Sequence, residues 1–466
     1  MERDERSKML GEMPMGKLIP KVSIPIMISM LVQAMYNVVD SIFVAKYDPN
    51  ALTAVSLAYP VQMLMIALSV GMGVGINSLI SRKLGERKRE DARAAAWNGM
   101  LIELGGFLLF CLVGLFLARA CMGMVVSDNL ADAELIRETG TRYLHIVTTY
   151  SLGVFMAVLM ERMLQSTGNT TLSMLTQIAG AVTNIILDPI LIFGYLGFPA
   201  MGVTGAAVAT VIGQHVSALT GFLLNQKKNP ELKLALRDFR VNRGILRGIL
   251  AVGLPSTIMQ AIASVMNVGM NGLLSSFAEG NAAVNVLNVY FKLQSFVFMP
   301  VFGLGNGMVA IIGYNFGARL KSRVYQAVKT AWIWCAVILA FGLALFQLFP
   351  NALMSLFESG DSTSEITLAM TRMGVVALRI ISLHFLIASV GICLSNCFQA
   401  IGKGTYSLII SLCRQLLVLL PAAWLLKQAF GTVDAVWWAF LIAELVSAVL
   451  SLLLYRKVDR EIISRL

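Results

Sequence analysis

A chain of 466 residues that is 57% hydrophobic and only 14% charged, with a mean hydropathy of +0.75, falls well short of the roughly 25% charge of a soluble chain. It must meet lipid over most of its outside. Strand alternation is absent from its apolar runs, which argues against a β-barrel, and the net charge of +11 clusters in alternate loops, which argues against nucleic acid as a partner and marks membrane topology instead.

The opening residues, MERDERSKML, are too charged and too early for a cleaved secretory signal. Twelve helical spans are expected after them, each about 20 residues or more and long enough to cross a bilayer. Their limits are 21–46, 53–80, 94–119, 134–158, 163–194, 202–224, 244–276, 281–313, 328–349, 365–398, 404–427 and 433–455. The stretches 82–93 and 225–248 hold six and seven Lys or Arg residues, and GARLKSR at 317–323 and the YRKVDREIISRL tail are also basic. The intervening loops, such as GYLGFPAMG at 194–202, are nearly bare of them. The positive-inside rule then places both termini in the cytoplasm of a multi-pass membrane protein.

Span 1 contains MYNVVDSIFV, in which Tyr36, Asn37 and Asp40 recur at helical spacing. A charge at mid-helix costs about 2.5–3.5 kcal/mol on insertion scales, so such residues face a cavity or a partner. Span 2 ends in GMGVGINSLISRKLG, 71–85. Its Gly-x-Gly-x-Gly is no nucleotide loop, because no strand precedes it; close helix packing is its expected use. Glu161 and Arg162 stand together where a cytoplasmic helix end is expected, as a solvated pair. Span 5 carries TNIILDPIL, where Asn184 and Asp188 share a face at i, i+4. Spans 1 and 5 both run outward, and Asp40 and Asp188 each lie six residues, about 9 Å, before the outer end. Asn37 and Asn184 lie about one turn deeper, and Thr210 of span 6 returns to that level. Oxygen-bearing side chains at matched depth make a candidate proton or cation site. Two carboxylates sharing a buried site hold a proton more readily than either alone, and an all-oxygen set suits a hard cation such as Na⁺. Pro189 frees the carbonyl of Ile185 as a further ligand.

The second half opens with span 7 and repeats the first. GLGNGMVAIIGYNFG at 303–317 aligns its glycines with those at 71, 73, 75 and 85, and QAIGKGTYS at 399–407 aligns with QSTGNTTLS at 165–173. Pro255 and Asn267 stand where Pro25 and Asn37 stand in span 1. Six spans per half give both halves the same orientation, a parallel pseudo-two-fold repeat of transporter type. The expected division is an N-lobe at 1–225, a basic cytoplasmic linker at 226–243 and a C-lobe at 244–466. Span 8 adds Tyr290 and Lys292, and span 10 adds Arg379 and His384. With Phe155 of span 4 these are candidate substrate-cavity residues. Arg414 in span 11 either neutralises a carboxylate or snorkels. The six cysteines lie in or beside apolar runs and read as small packing residues. The 26 methionines suit a wall that adapts to many shapes or fill gaps between helices.

Together these stretches resemble the multidrug and toxic compound extrusion (MATE) family, in particular its MepA-like or DinF-like bacterial branch. The carrying residues are 25–44, 71–85, QSTGNT at 165–170, NIILDP at 184–189, GVTGAAVAT at 202–210 and IIGYNFGA at 311–318. The resemblance covers essentially the whole chain. It implies an all-α fold of twelve helices in two V-shaped six-helix lobes around a central cavity. It implies export of mostly cationic, amphipathic compounds in exchange for H⁺ or Na⁺, with no other cofactor. The residues matching Asp40, Asn184, Asp188 and Thr210 would bind the coupling ion, Tyr36 and Asn37 would line its pocket, and Pro25 would mark a bend in span 1. Acids found in spans 7 and 10 of the sodium-coupled branch have no counterpart here.

The expected function is therefore a proton- or sodium-coupled multidrug exporter in a bacterial cytoplasmic membrane, acting as a monomer on small organic cations. A lipid-linked oligosaccharide flippase of the same superfamily is the alternative, kept open by Lys292, Arg379 and Arg414. An enzyme is not expected: His145, His215 and His384 are scattered, no HExxH is present, and no serine has a paired base.

Overall fold

The computed structural model describes residues 6–127, 132–235, 238–357 and 365–466. All regular structure among them is helical. A short helix, Arg6–Glu12, precedes the membrane spans. Ten helices are each long and apolar enough to cross a bilayer, and two bent pairs complete twelve spans. In the first half these are Met15–Tyr47, Asn50–Gly85, Arg89–Val125, Ala133–Thr149 with Leu152–Ser166, Thr170–Phe193 and Val203–Lys228. In the second half they are Arg243–Leu274, Gly280–Gly317, Lys321–Leu348, Met370–Ser382 with Phe385–Ala400, Gly404–Phe430 and Val433–Arg465. They are numbered spans 1 to 12 below.

Most helices run a few residues past the sequence-based limits, and two of the shifted boundaries bear on the site. Span 4 bends by 44° at its break and continues to Ser166, and span 5 begins only at Thr170. The charges of Glu161 and Arg162 suggested a solvated helix end, yet both are buried, at 8% and 5% exposure. The true end is the turn at Gly168, which takes a φ of 77°. Span 10 is bent by 49° at its own break, the counterpart of the bend in span 4. Span 1 stays helical through Pro20 and Pro25, as does span 7 through Pro255.

Local chemistry explains several ends. Asp48 caps span 2 by accepting from the Asn50 amide at 2.9 Å, with Pro49 at the first helical position. Asn242 caps span 7 by accepting from Gly244 and Ile245. The basic linker is tied down rather than free. Asn98 donates to the Arg240 carbonyl at 2.8 Å and accepts from the Asn242 amide at 3.1 Å, and Trp97 donates to the Ala235 carbonyl.

The two halves interlock through their first spans. Leu10, Met15, Leu18, Ile19 and Val22 belong to an apolar core whose other buried members come from the second half. Ile245 and Ile249 of span 7 join a core of the first half. Arg323 fixes the amino-terminal segment by donating to the carbonyls of Leu10 and Met13. At the basic-loop end, Ser78 of span 2 donates to the Gln399 carbonyl of span 10 at 2.6 Å. Span 5 packs between spans 1 and 6, which is what positions the site.

Candidate functional site

Span 5 supplies the centre of the site. Asn184 and Asp188 are 3% and 0% exposed and face span 6 one helical turn apart. Asn184 Nδ2 donates to Asp188 Oδ1 at 3.3 Å and to Thr210 Oγ1 at 3.4 Å. Span 1 brings Asp40 into electrostatic reach of Asp188 and Tyr36 into reach of both. The structure thus gathers Tyr36, Asp40, Asn184, Asp188 and Thr210 from three helices. Asn37 is exposed and makes none of these bonds.

The polar accounting of this group is incomplete. Asp40 Oδ1, Asp188 Oδ2 and Asn184 Oδ1 are buried without a hydrogen-bond partner among the described residues. Buried acceptors of this kind are costly unless something satisfies them. With the Thr210 hydroxyl they form an all-oxygen set that fits a proton or a hard monovalent cation. Only two of the groups are carboxylates, and no cluster of three or more His, Cys, Asp or Glu fit for a metal occurs among the described residues.

Three further residues border this group without having been singled out in the sequence. Tyr143 of span 4 is 3% exposed, donates to Gln62 Oε1 at 3.3 Å, and lies in electrostatic reach of Tyr36, Asp40 and Asp188. Tyr59 interacts electrostatically with Tyr36. The signal was a polar residue on an otherwise apolar helix face, as for Gln62 in VQMLMIAL.

Tyr36, Asn184 and Thr210 open onto a cavity of about 150 Å³, with walls from spans 1, 2, 4, 5 and 6 and Asn306 of span 8. Its wall mixes Met30, Ile66 and Val154 with polar Gln33, Gln165 and Gln214. None of the five candidate substrate residues lines it. Tyr290 and Phe155 are fully buried in aromatic packing, against Phe440 and Phe110 respectively. His384 is buried and stacks on Phe440. Lys292 and Arg379 are exposed, with the Lys292 ammonium 5.9 Å from the Phe357 ring centroid. Aromatic and basic side chains were plausible wall residues by type, but core packing and the outer surface claimed them. Arg414 pairs with Glu444 Oε2 at 3.5 Å, away from this cavity.

The MatE family model matches residues 25–190 and again residues 255–425, so the two matches fall one on each half. Over 97% of its length the chain is 25% identical to the multidrug export protein MepA of Staphylococcus haemolyticus (strain JCSC1435), covering 95% of that protein. It is 26% identical to MepA of Staphylococcus aureus (strain MRSA252), covering 97% of this chain and 96% of the relative. Among solved structures it superposes with a TM-score of 0.90, at 27% identity and with all of both chains covered, on a multidrug resistance MATE family transporter of the MOP superfamily in an outward-facing conformation. A MOP superfamily transporter from Pyrococcus furiosus matches with a TM-score of 0.87 at 27% identity, over 98% of each chain. This chain belongs to the MatE family of multi-pass, all-helical membrane transporters.

Proposed function

We propose that this protein is a secondary active multidrug exporter. It antiports amphipathic, mostly cationic organic compounds out of the cell against H⁺ or Na⁺. The observation that carries this is that Asp40 and Asp188 lie within electrostatic reach of each other, with one buried oxygen each of Asp40, Asn184 and Asp188 unsatisfied among the described residues, next to a cavity that Tyr36, Asn184 and Thr210 line. In this mechanism the ion binds among Asp40, Asn184, Asp188 and Thr210 from the outer side. Its binding favours one arrangement of span 1, while guest binding favours the other; opposed preferences of this kind are what couple two ligands. The MepA relatives, named as multidrug export proteins, support the same reading. The basic loops support a cytoplasmic position for both termini.

The three basic residues that kept the flippase alternative open, Lys292, Arg379 and Arg414, are not in the cavity wall, where Arg162 is the one arginine or lysine among the lining residues. The deciding experiment reconstitutes the protein in vesicles and follows ethidium under a pH gradient or a sodium gradient imposed separately. Export driven by one of them is expected. Failure of both gradients to drive ethidium overturns the proposal.

A further inference from the structure

The charges of the basic loops are not all engaged alike. After span 2, Lys83 and Lys88 pair with Glu86 at 2.9 and 3.0 Å. Arg93 is taken up by the linker: it donates to the carbonyls of Glu231 and Pro230 and pairs with Asp238 at 3.5 Å. Arg323 holds the amino-terminal segment. Arg240, Arg243 and Arg247 differ from all of these. Their side chains are exposed and make no hydrogen bond or ion pair among the described residues.

Their backbone is nevertheless fixed. Asn98 and Trp97 of span 3 bind the linker on either side of Arg240, and the Phe239 ring packs edge-on against Trp97 with 5.4 Å between centroids. The Asn242 cap puts Arg243 at the first helical position of span 7, and Arg247 follows on the same face at i, i+4. That face is apolar further along. Residues 243, 247, 251, 254 and 258 form a single stripe of a 3.6-residue helix, and all five are exposed. The opposite face, with Ile245, Ile249, Val252 and Ser256, is buried in the protein. The halves are closed against each other at this end, where Ser78 bonds to the Gln399 carbonyl, so an apolar stripe left exposed here faces lipid. Ile258 lies eleven residues, about 16 Å, from Arg247, close to the depth of about 15 Å of one hydrocarbon leaflet.

We propose that Arg240, Arg243 and Arg247 bind the phosphate of an anionic phospholipid whose acyl chains lie along Leu254 and Ile258. Guanidinium forks match phosphate oxygens in pairs. Exposed Phe239 and Val241 flank Arg240 and enter the interface beside the head group. A zwitterionic lipid brings the same phosphate together with an ammonium that the arginines repel, so the site prefers a head group of net negative charge. The linker is the chain connection between the halves, and the lipid ties it to the membrane surface. The proposal is independent of the transported compound and of the coupling ion.

The test uses purified full-length protein in detergent. Native mass spectrometry counts the lipid retained as dioleoylphosphatidylglycerol or dioleoylphosphatidylcholine is titrated in. The wild type should hold phosphatidylglycerol the more tightly. An arginine near an anionic head group contributes about fivefold, so Arg243→Gln should weaken phosphatidylglycerol by about that factor and phosphatidylcholine by less than about twofold. The triple variant Arg240→Gln, Arg243→Gln, Arg247→Gln should abolish the preference. A charge-matched triple on span 12, Arg456→Gln, Lys457→Gln and Arg460→Gln, should keep it. Equal wild-type affinity for the two lipids, or equal losses with the two triples, overturns the site, the second because net charge alone would then account for binding. If the first triple does not fold, Arg243→Gln and Arg247→Gln singly carry the same comparison. Glycerophosphoglycerol, the same head group without chains, should compete only weakly; competition as strong as that of the lipid overturns the lipid assignment.

Discussion

Gly85 and Gly317, at the ends of spans 2 and 8, lock against each other's chain. A Cβ on Gly85 would stand 2.0 Å from the Tyr314 carbonyl oxygen, and one on Gly317 would stand 2.1 Å from the Arg82 carbonyl oxygen. The two positions are related by the internal repeat, so one contact is made twice about the pseudo-two-fold. It closes the lobes at the end that carries the basic loops, beside the Ser78 bond to span 10. Gly85→Ala and Gly317→Ala should each prevent this closure. Overpacking costs about 1–3 kcal/mol, or roughly 5- to 150-fold in the population of the closed state. The check is labelling of Ser78→Cys, in a background with the native cysteines replaced, by a membrane-impermeant thiol reagent. Either alanine should raise the rate from the basic-loop side, and the two effects should be similar in size.

The loop that follows Gly85 has a pH dependence of its own. Partial burial works to raise the Glu86 carboxyl, but hydrogen bonds and charge from Lys83 and Lys88, at 2.9 and 3.0 Å, outweigh it and hold the group below the usual carboxylate range. A depressed carboxyl contributes stability that is present above its unfolded value, about 4.3, and is lost as pH falls through the folded value. Protection of the amides at residues 83–91, relative to their intrinsic exchange rates, should therefore fall on acidification below about pH 4, and Glu86→Gln should remove that acid response.

Asp40→Asn should abolish gradient-driven efflux while the protein still inserts and elutes as a folded species. The variant keeps the shape of the side chain and removes the charge that an ion or proton would meet. Asn184→Ala should cost more than Thr210→Val. Asn184 donates to both Asp188 and Thr210, so its loss leaves two acceptors unsatisfied, at about 1–3 kcal/mol each where buried. Thr210→Val removes one acceptor on the rim of the cavity. Efflux rates of the three variants, at equal reconstituted amounts, give the order directly.

The fold was largely legible because lipid imposes a simple rule on sequence: long apolar helices with basic residues at one end. The acidic part of the candidate site stood out for the same reason, since Asp40 and Asp188 are conspicuous in apolar surroundings. What was not legible was sidedness within the protein. Glu161 and Arg162 look like an interfacial pair in one dimension; only the bend in span 4 and the small Gly73 opposite show that the cavity reaches them. Lys292 and Tyr290 failed in the opposite direction. They lie two residues apart on span 8, so they point away from each other, one to the outer surface and one into an aromatic core.

The Arg414–Glu444 pair makes the last prediction, because its partners are unequally buried. Glu444 has a side chain 4% exposed, whereas that of Arg414 is 32% exposed and rides on a π-helical turn at Cys413–Val418. Removing one partner of a fully buried pair costs about 3–5 kcal/mol, and the exposure of Arg414 reduces that here. The cost should also be asymmetric. Arg414→Gln strands a carboxylate inside span 12, with Glu444 Oε1 already lacking a hydrogen-bond partner among the described residues. Glu444→Gln leaves an arginine that can turn its head outward. Thermal unfolding in detergent should fall further for Arg414→Gln than for Glu444→Gln, and the double variant should recover much of the loss. Neither residue lines the cavity, so ethidium efflux per folded molecule should stay near wild type in all three; a selective loss of transport at unchanged stability would instead place the pair in the transport cycle.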